Sequence, residues 1–161
     1  ISCRNNSNKF HGSISFIYSC KSNKNISYIC TINAINVMDE HHCLLCMGSN
    51  TNRYAQLSVA REALRATFPD IHFGEMMETE AVGSGFHSPF SNQLAKFSTT
   101  LSPDSVHDLF KELERRCGRI PEDKAQGVVK LDIDLLVFDN KILKPEDMER
   151  EYIRRGMSVL F

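Results

Sequence analysis

The eight-residue run Leu131-Asp-Ile-Asp-Leu-Leu-Val-Phe138 narrows the fold of this chain more than any other segment. Its apolar and acidic residues alternate with the period of a strand, so Leu131, Ile133 and Leu135 face a core while Asp132 and Asp134 project together from the other surface. Aspartate is depleted in strands, so propensity gives no reason for two of them here. The plain reading is a solvated strand face. The chemical reading is a cation site, because two like charges about 7 Å apart, at a rise of about 3.3 Å per residue, favour a divalent ion. Magnesium binds one or two carboxylates, keeps water and completes its shell with substrate phosphates. This sparse oxygen set therefore suits a metal-nucleotide complex better than calcium, which takes more ligands. With two ions, the pair could clamp a phosphoryl group in transfer.

The flanking segments place that strand in a domain. Cys43-Leu-Leu-Cys-Met47 predicts a buried strand stopped by Gly48-Ser49-Asn50. Leu57, Ala60, Leu64 and Phe68 recur at helical spacing until Pro69-Asp70 breaks the run. Residues 71–79 and 92–101 read as strands, joined by a Gly-rich loop over 80–89. Ser102 offers a helix cap, Pro103 suits the first helical position, and Val106, Leu109, Phe110, Leu113 and Cys117 form one face up to Gly118. Residues 145–155 predict a last short helix. The order strand, helix, strand, strand, helix, strand predicts an α+β, ferredoxin-like sandwich, an antiparallel sheet with helices packed on one face.

Composition bounds the function. With 161 residues, 42% of them hydrophobic, the chain holds one cored domain, and a formal charge of -1 gives no bulk attraction to nucleic acid or an anionic membrane. No run approaches the roughly 20 apolar residues of a membrane span. Small-molecule partners, a cytoplasmic location and a monomer or weak dimer are expected. The irregularly spaced cysteines read as reduced thiols. Residues 1–37 contain no Asp, Glu or Leu, and Met38 is the first methionine. Residues 1–37 are therefore expected to be a non-native or disordered leader, with residues 38–161 the domain. A transit peptide would also be acid-poor and Ser-rich, but it should be Arg-rich, and only Arg4 meets that demand.

In order, Gly48-Ser49-Asn50, Phe90-Ser-Asn92, Glu114-Arg-Arg-Cys-Gly118-Arg119 and Leu131-Asp-Ile-Asp-Leu135 resemble the 6-hydroxymethyl-7,8-dihydropterin pyrophosphokinase family of folate synthesis. The resemblance spans roughly residues 43–138 and implies the same ferredoxin-like fold. It implies that the chain moves a pyrophosphoryl group from ATP to the pterin hydroxymethyl group and releases AMP, with Asp132 and Asp134 holding two Mg2+ ions. Asn92 would read the pterin edge, since an amide both donates and accepts, and Phe90 would support the ring. Thr79 and Val82 fall where the family lines the pterin pocket; as residues alone they read equally as a strand end and a loop filler. Glu114 would bind toward the nucleotide and Arg119 its phosphates, a role suited to the guanidinium fork. Residues 82–89 and 120–130 are placed to act as lids.

The chain also departs from the family. Between Arg119 and Asp132 it lacks further arginines and a stacking Trp; Lys124 and Lys130 are candidates to replace the charge. Glu149 stands near a family His. Arg155-Gly156-Met157 resembles a later segment, with Arg155 toward ATP and Met157 in place of an aromatic on the pterin, and the chain ends at Phe161 where the family extends further. Two rivals follow. One is a weakly active or inactive homologue that binds nucleotide and pterin. The other is a metal module built on His41, His42, Cys43 and Cys46, against which strand geometry argues, because residues three apart point to opposite faces.

Overall fold

Five antiparallel strands form the sheet that carries the candidate site. The computed structural model describes residues 6–10, 13–17, 39–81 and 88–160, and the chain divides into two units, Ile1–Asp39 and Glu40–Phe161. In the first unit, β1 (Asn6–Phe10) and β2 (Ser13–Ile17) pair antiparallel. The second unit runs β3 (His41–Ser49), α1 (Arg53–Thr67), β4 (His72–Thr79), β5 (Phe90–Thr99) and α2 (Pro103–Arg116), followed by a 3-10 helix (Pro121–Gln126). It continues through β6 (Asp132–Phe138), β7 (Lys141–Ile142), α3 (Pro145–Met148) and α4 (Glu151–Leu160). The sheet order is β4-β5-β3-β6-β7. This is the ferredoxin-like α+β sandwich that the element order predicts.

Local chemistry sets the element ends. The Ser102 hydroxyl accepts the Ser105 N–H at 3.2 Å, capping α2, and Pro103 opens the helix. Gly118 leaves it at φ +87°, a conformation that costs a residue with a Cβ. α1 and α2 cover one face, where Leu45, Met47, Leu57, Leu64, Phe110, Leu131 and Ile133 are buried. Each such side chain contributes about 1.5–3 kcal/mol by leaving water.

The segment expected as one short helix is two, α3 and α4, and α4 lies on the other face of the sheet. Its Ile153 packs with Leu44, Cys46, Leu94 and Leu136. The continuous apolar run of β3 is the physical reason, since a strand that is apolar on both sides needs cover on both. Helices on one face are thus the rule for α1 and α2, and α4 is the exception. The alternation along β6 also changes phase. Leu45 pairs with Leu135 but Leu44 with Val137, so the strand bulges at Leu136. Asp132 and Asp134 precede that bulge and keep one phase.

Candidate active site

Sheet register assembles the site. Asn92 of β5, Gly48 of β3 and Asp132 of β6 form one row across the sheet, and Leu94, Cys46 and Asp134 form the next. Paired residues of antiparallel strands share a face, so both carboxylates stand on the same side as Asn92. Together with Thr79 and Phe90 they line a cavity of about 160 Å3, to which Asp147, Arg150 and Tyr152 also contribute. The Asn92 amide donates to the Thr79 hydroxyl at 2.8 Å. Gly48 makes room for that amide, because a Cβ there would lie 2.6 Å from Asn92 Oδ1.

Asp132 also faces a second cavity, of about 310 Å3, lined by Arg119, Ile120, Pro121, Asp123, Val128 and Val129. Arg119 donates to Asp132 at 2.6 Å and to Glu114 at 2.5 Å. Burial lowers the Arg119 pKa, but the hydrogen bond and charge of Asp132, then of Glu114, outweigh it and hold the guanidinium above its ordinary value. Asp134 accepts an ion pair from Lys144 at 3.2 Å, and the charge of Asp134 raises the Lys144 pKa. Burial, then the charge of Asp134, pushes the neighbouring Cys46 thiol up to about 12, so it stays protonated.

Glu114 is only 2% exposed. Its Oε1 accepts the Ile133 N–H at 2.8 Å and Lys111 at 2.6 Å, and its Oε2 accepts Arg119. Both oxygens are engaged by protein, so in this structure the residue supports the peptide between the two aspartates. Met157 lies apart from the carboxylate cavity. It lines a groove with His42, His72 and Lys96 at the opposite end of β3 from the carboxylates. Lys130 turns to the Gly118 carbonyl and Asp123. Arg155 lines a neighbouring groove that shares Thr79, Glu80, Arg150 and Tyr152 with the carboxylate cavity. Val82 and the Lys124 side chain lie outside the described residues.

The loop after Arg119 is tethered. Asn50 Nδ2 donates to the Gly127 carbonyl at 2.7 Å, and Asn50 Oδ1 accepts the Val129 N–H at 2.7 Å. Ser49 donates to the Val129 carbonyl at 3.1 Å. The Gly48-Ser49-Asn50 turn thus serves both cavities, lining the first through Gly48 and holding Gly127 and Val129 beside the second. Sequence reasoning missed Gly48 as a cavity residue, and Asp147, Arg150 and Tyr152 altogether. The helical spacing of Tyr152, Ile153, Gly156, Met157 and Leu160 was the available signal that this segment packs on the sheet.

Cys43 and Cys46 face opposite sides of β3, the first in the α1/α2 core and the second toward α4, and His41 pairs with Asp139 at 2.8 Å. Among the described residues no three His, Cys, Asp or Glu converge as a metal cluster. Asp132 and Asp134 offer hard carboxylate oxygens on one face of the cleft, which fits Mg2+, an ion that keeps waters and takes the remaining oxygens from a substrate.

Fold and site define a ferredoxin-like α+β domain with two carboxylates on one strand face, of which Asp132 lines two cavities and Asp134 one. Residues 44–160 match the family of 7,8-dihydro-6-hydroxymethylpterin-pyrophosphokinase (HPPK), and the chain belongs to that family, whose members are diphosphotransferases of folate biosynthesis. A search of curated proteins returned no match. No described helix is long and apolar enough to cross a membrane.

Proposed function

We propose that the chain transfers the pyrophosphoryl group of ATP to 6-hydroxymethyl-7,8-dihydropterin in the cytoplasm, with residues 38–161 as the catalytic domain. The observation that carries the reading is the position of Asp132, which faces both cavities, as a group serving two substrates must. Asn92, Thr79 and Phe90 give one cavity an amide, a hydroxyl and an aromatic ring, suited to the polar edge and flat face of a pterin. Arg119 and the apolar side chains of Ile120, Pro121, Val128 and Val129 give the other a phosphate fork beside an apolar wall, suited to a nucleotide.

Asp132 and Asp134 would hold two Mg2+ ions, which neutralise phosphate charge and polarise the phosphorus under attack. The residues of the chain bind and orient. Asn92, fixed by Thr79 and by the space at Gly48, sets the pterin hydroxymethyl group toward the carboxylates. Arg119, held by Glu114, directs its fork to the phosphates. The substrate hydroxyl attacks the β-phosphorus and AMP leaves, so the protein supplies position and charge and no nucleophile of its own.

The test is to incubate the purified chain with Mg-ATP and 6-hydroxymethyl-7,8-dihydropterin and resolve the products. Equimolar AMP and pterin pyrophosphate are expected. Formation of ADP, or binding of both ligands with no AMP, would overturn the assignment, the second outcome in favour of a nucleotide- and pterin-binding homologue.

A further inference from the structure

Each aspartate of the pair already has a protein cation, and the two cations are held differently. Arg119 on Asp132 is anchored from behind by buried Glu114. Lys144 on Asp134 is 48% exposed, and among the described residues its ammonium makes no other ion pair. Its backbone, by contrast, is pinned. The preceding Leu143 N–H donates to the Leu136 carbonyl at 2.8 Å, two residues beyond Asp134 in the same strand, and the Lys144 carbonyl accepts the Met148 N–H at 3.2 Å. A fixed root with a flexible four-carbon stem lets the ammonium leave one oxygen and reach another nearby without moving the fold.

We propose that Lys144 is a placeholder cation that binds the nucleotide phosphates once displaced. It neutralises Asp134 before the divalent ion arrives, is driven off by like charge when the ion takes the carboxylate, and transfers its ammonium to the phosphate oxygens. This deepens the pyrophosphokinase reading and rests on it. The division of labour follows from the anchoring: Arg119 stays in place through Glu114, while Lys144 moves. The two effects of Lys144 have opposite signs. It competes with free metal, and it cooperates with metal-bound nucleotide.

The test measures affinity without turnover. Mn2+ alone, followed by its paramagnetic resonance signal, and Mg-ATP, followed by calorimetry, are titrated into the wild type, Lys144→Met, Lys144→Arg and the exposed control Lys141→Met. Removing an exposed pair should tighten Mn2+ about two- to fivefold in Lys144→Met. Losing a charge-assisted bond to phosphate should weaken Mg-ATP about tenfold. Lys144→Arg should restore most of both, and Lys141→Met should change neither. A residue that merely stabilised the fold would not tighten metal while loosening nucleotide. Unchanged or weaker Mn2+ binding in Lys144→Met, or unchanged Mg-ATP binding, overturns the proposal while wild-type binding leaves the pyrophosphokinase reading standing. A wild type that binds no divalent ion with or without ATP overturns both.

Discussion

Replacing Glu114 tests whether the site is held from beneath. Glu114→Ala removes three hydrogen bonds at once, to Ile133 N–H, Lys111 and Arg119. The Ile133 amide is buried, so leaving it without an acceptor costs about 1–3 kcal/mol. Lys111 and Arg119 are each more than a third exposed, and water can reach them again, so their share is discounted to at most about 1 kcal/mol each. The sum is about 3 kcal/mol, which for a unit of this size lowers the melting temperature on the order of 10 °C. Glu114→Gln keeps an acceptor for Ile133 and should cost about 1–2 kcal/mol. Urea denaturation gives both values, with the m-value unchanged if the unfolding surface is the same. An alanine variant within about 0.5 kcal/mol of the wild type, or a glutamine variant less stable than the alanine one, would refute the reasoning.

Gly48→Ala should weaken pterin binding while costing about 1–3 kcal/mol of stability, because the new methyl collides with Asn92; equilibrium pterin fluorescence titration of this variant checks it. Asn50→Ala should free the loop it tethers, read as faster hydrogen exchange at the Val129 amide with the β3 amides unchanged. The His41 hydrogen bond, then the His42 N–H, holds the Asp139 carboxyl below its ordinary value of 3.8. Its contribution is therefore complete above pH 3.8 and disappears as pH falls through the lower native value. Urea midpoints measured from pH 5 downward should fall less steeply in Asp139→Asn than in the wild type.

Much of the fold was legible because its signals are local. The alternation of Leu131–Leu135 fixed which side the aspartates take, and Ser102-Pro103 marked a helix start that the structure places at Pro103. The bulge at Leu136 was not legible, since it belongs to the pairing of β6 with β3 and not to either strand. The same is true of Gly48, whose role comes from lying opposite both Asn92 and Asp132. The inward partners of Glu114 were not legible either. Its place in the Glu114–Arg119 segment suggested a ligand contact, and only burial and three partners show that it faces inward. The C-terminal segment was hardest to read, because α4 covers a sheet face whose apolar residues come from three separate strands.

The central claim is that Asp132 and Asp134 act together on a divalent ion. Calorimetry of Mg-ATP binding tests it most directly on Asp134→Asn beside the wild type, because Asp134 is free of the Arg119–Glu114 network that complicates Asp132. The predicted result is metal-dependent ATP binding by the wild type that falls at least tenfold in the variant, with metal-free ATP binding little changed. Equal Mg-ATP affinity in the two proteins would contradict it.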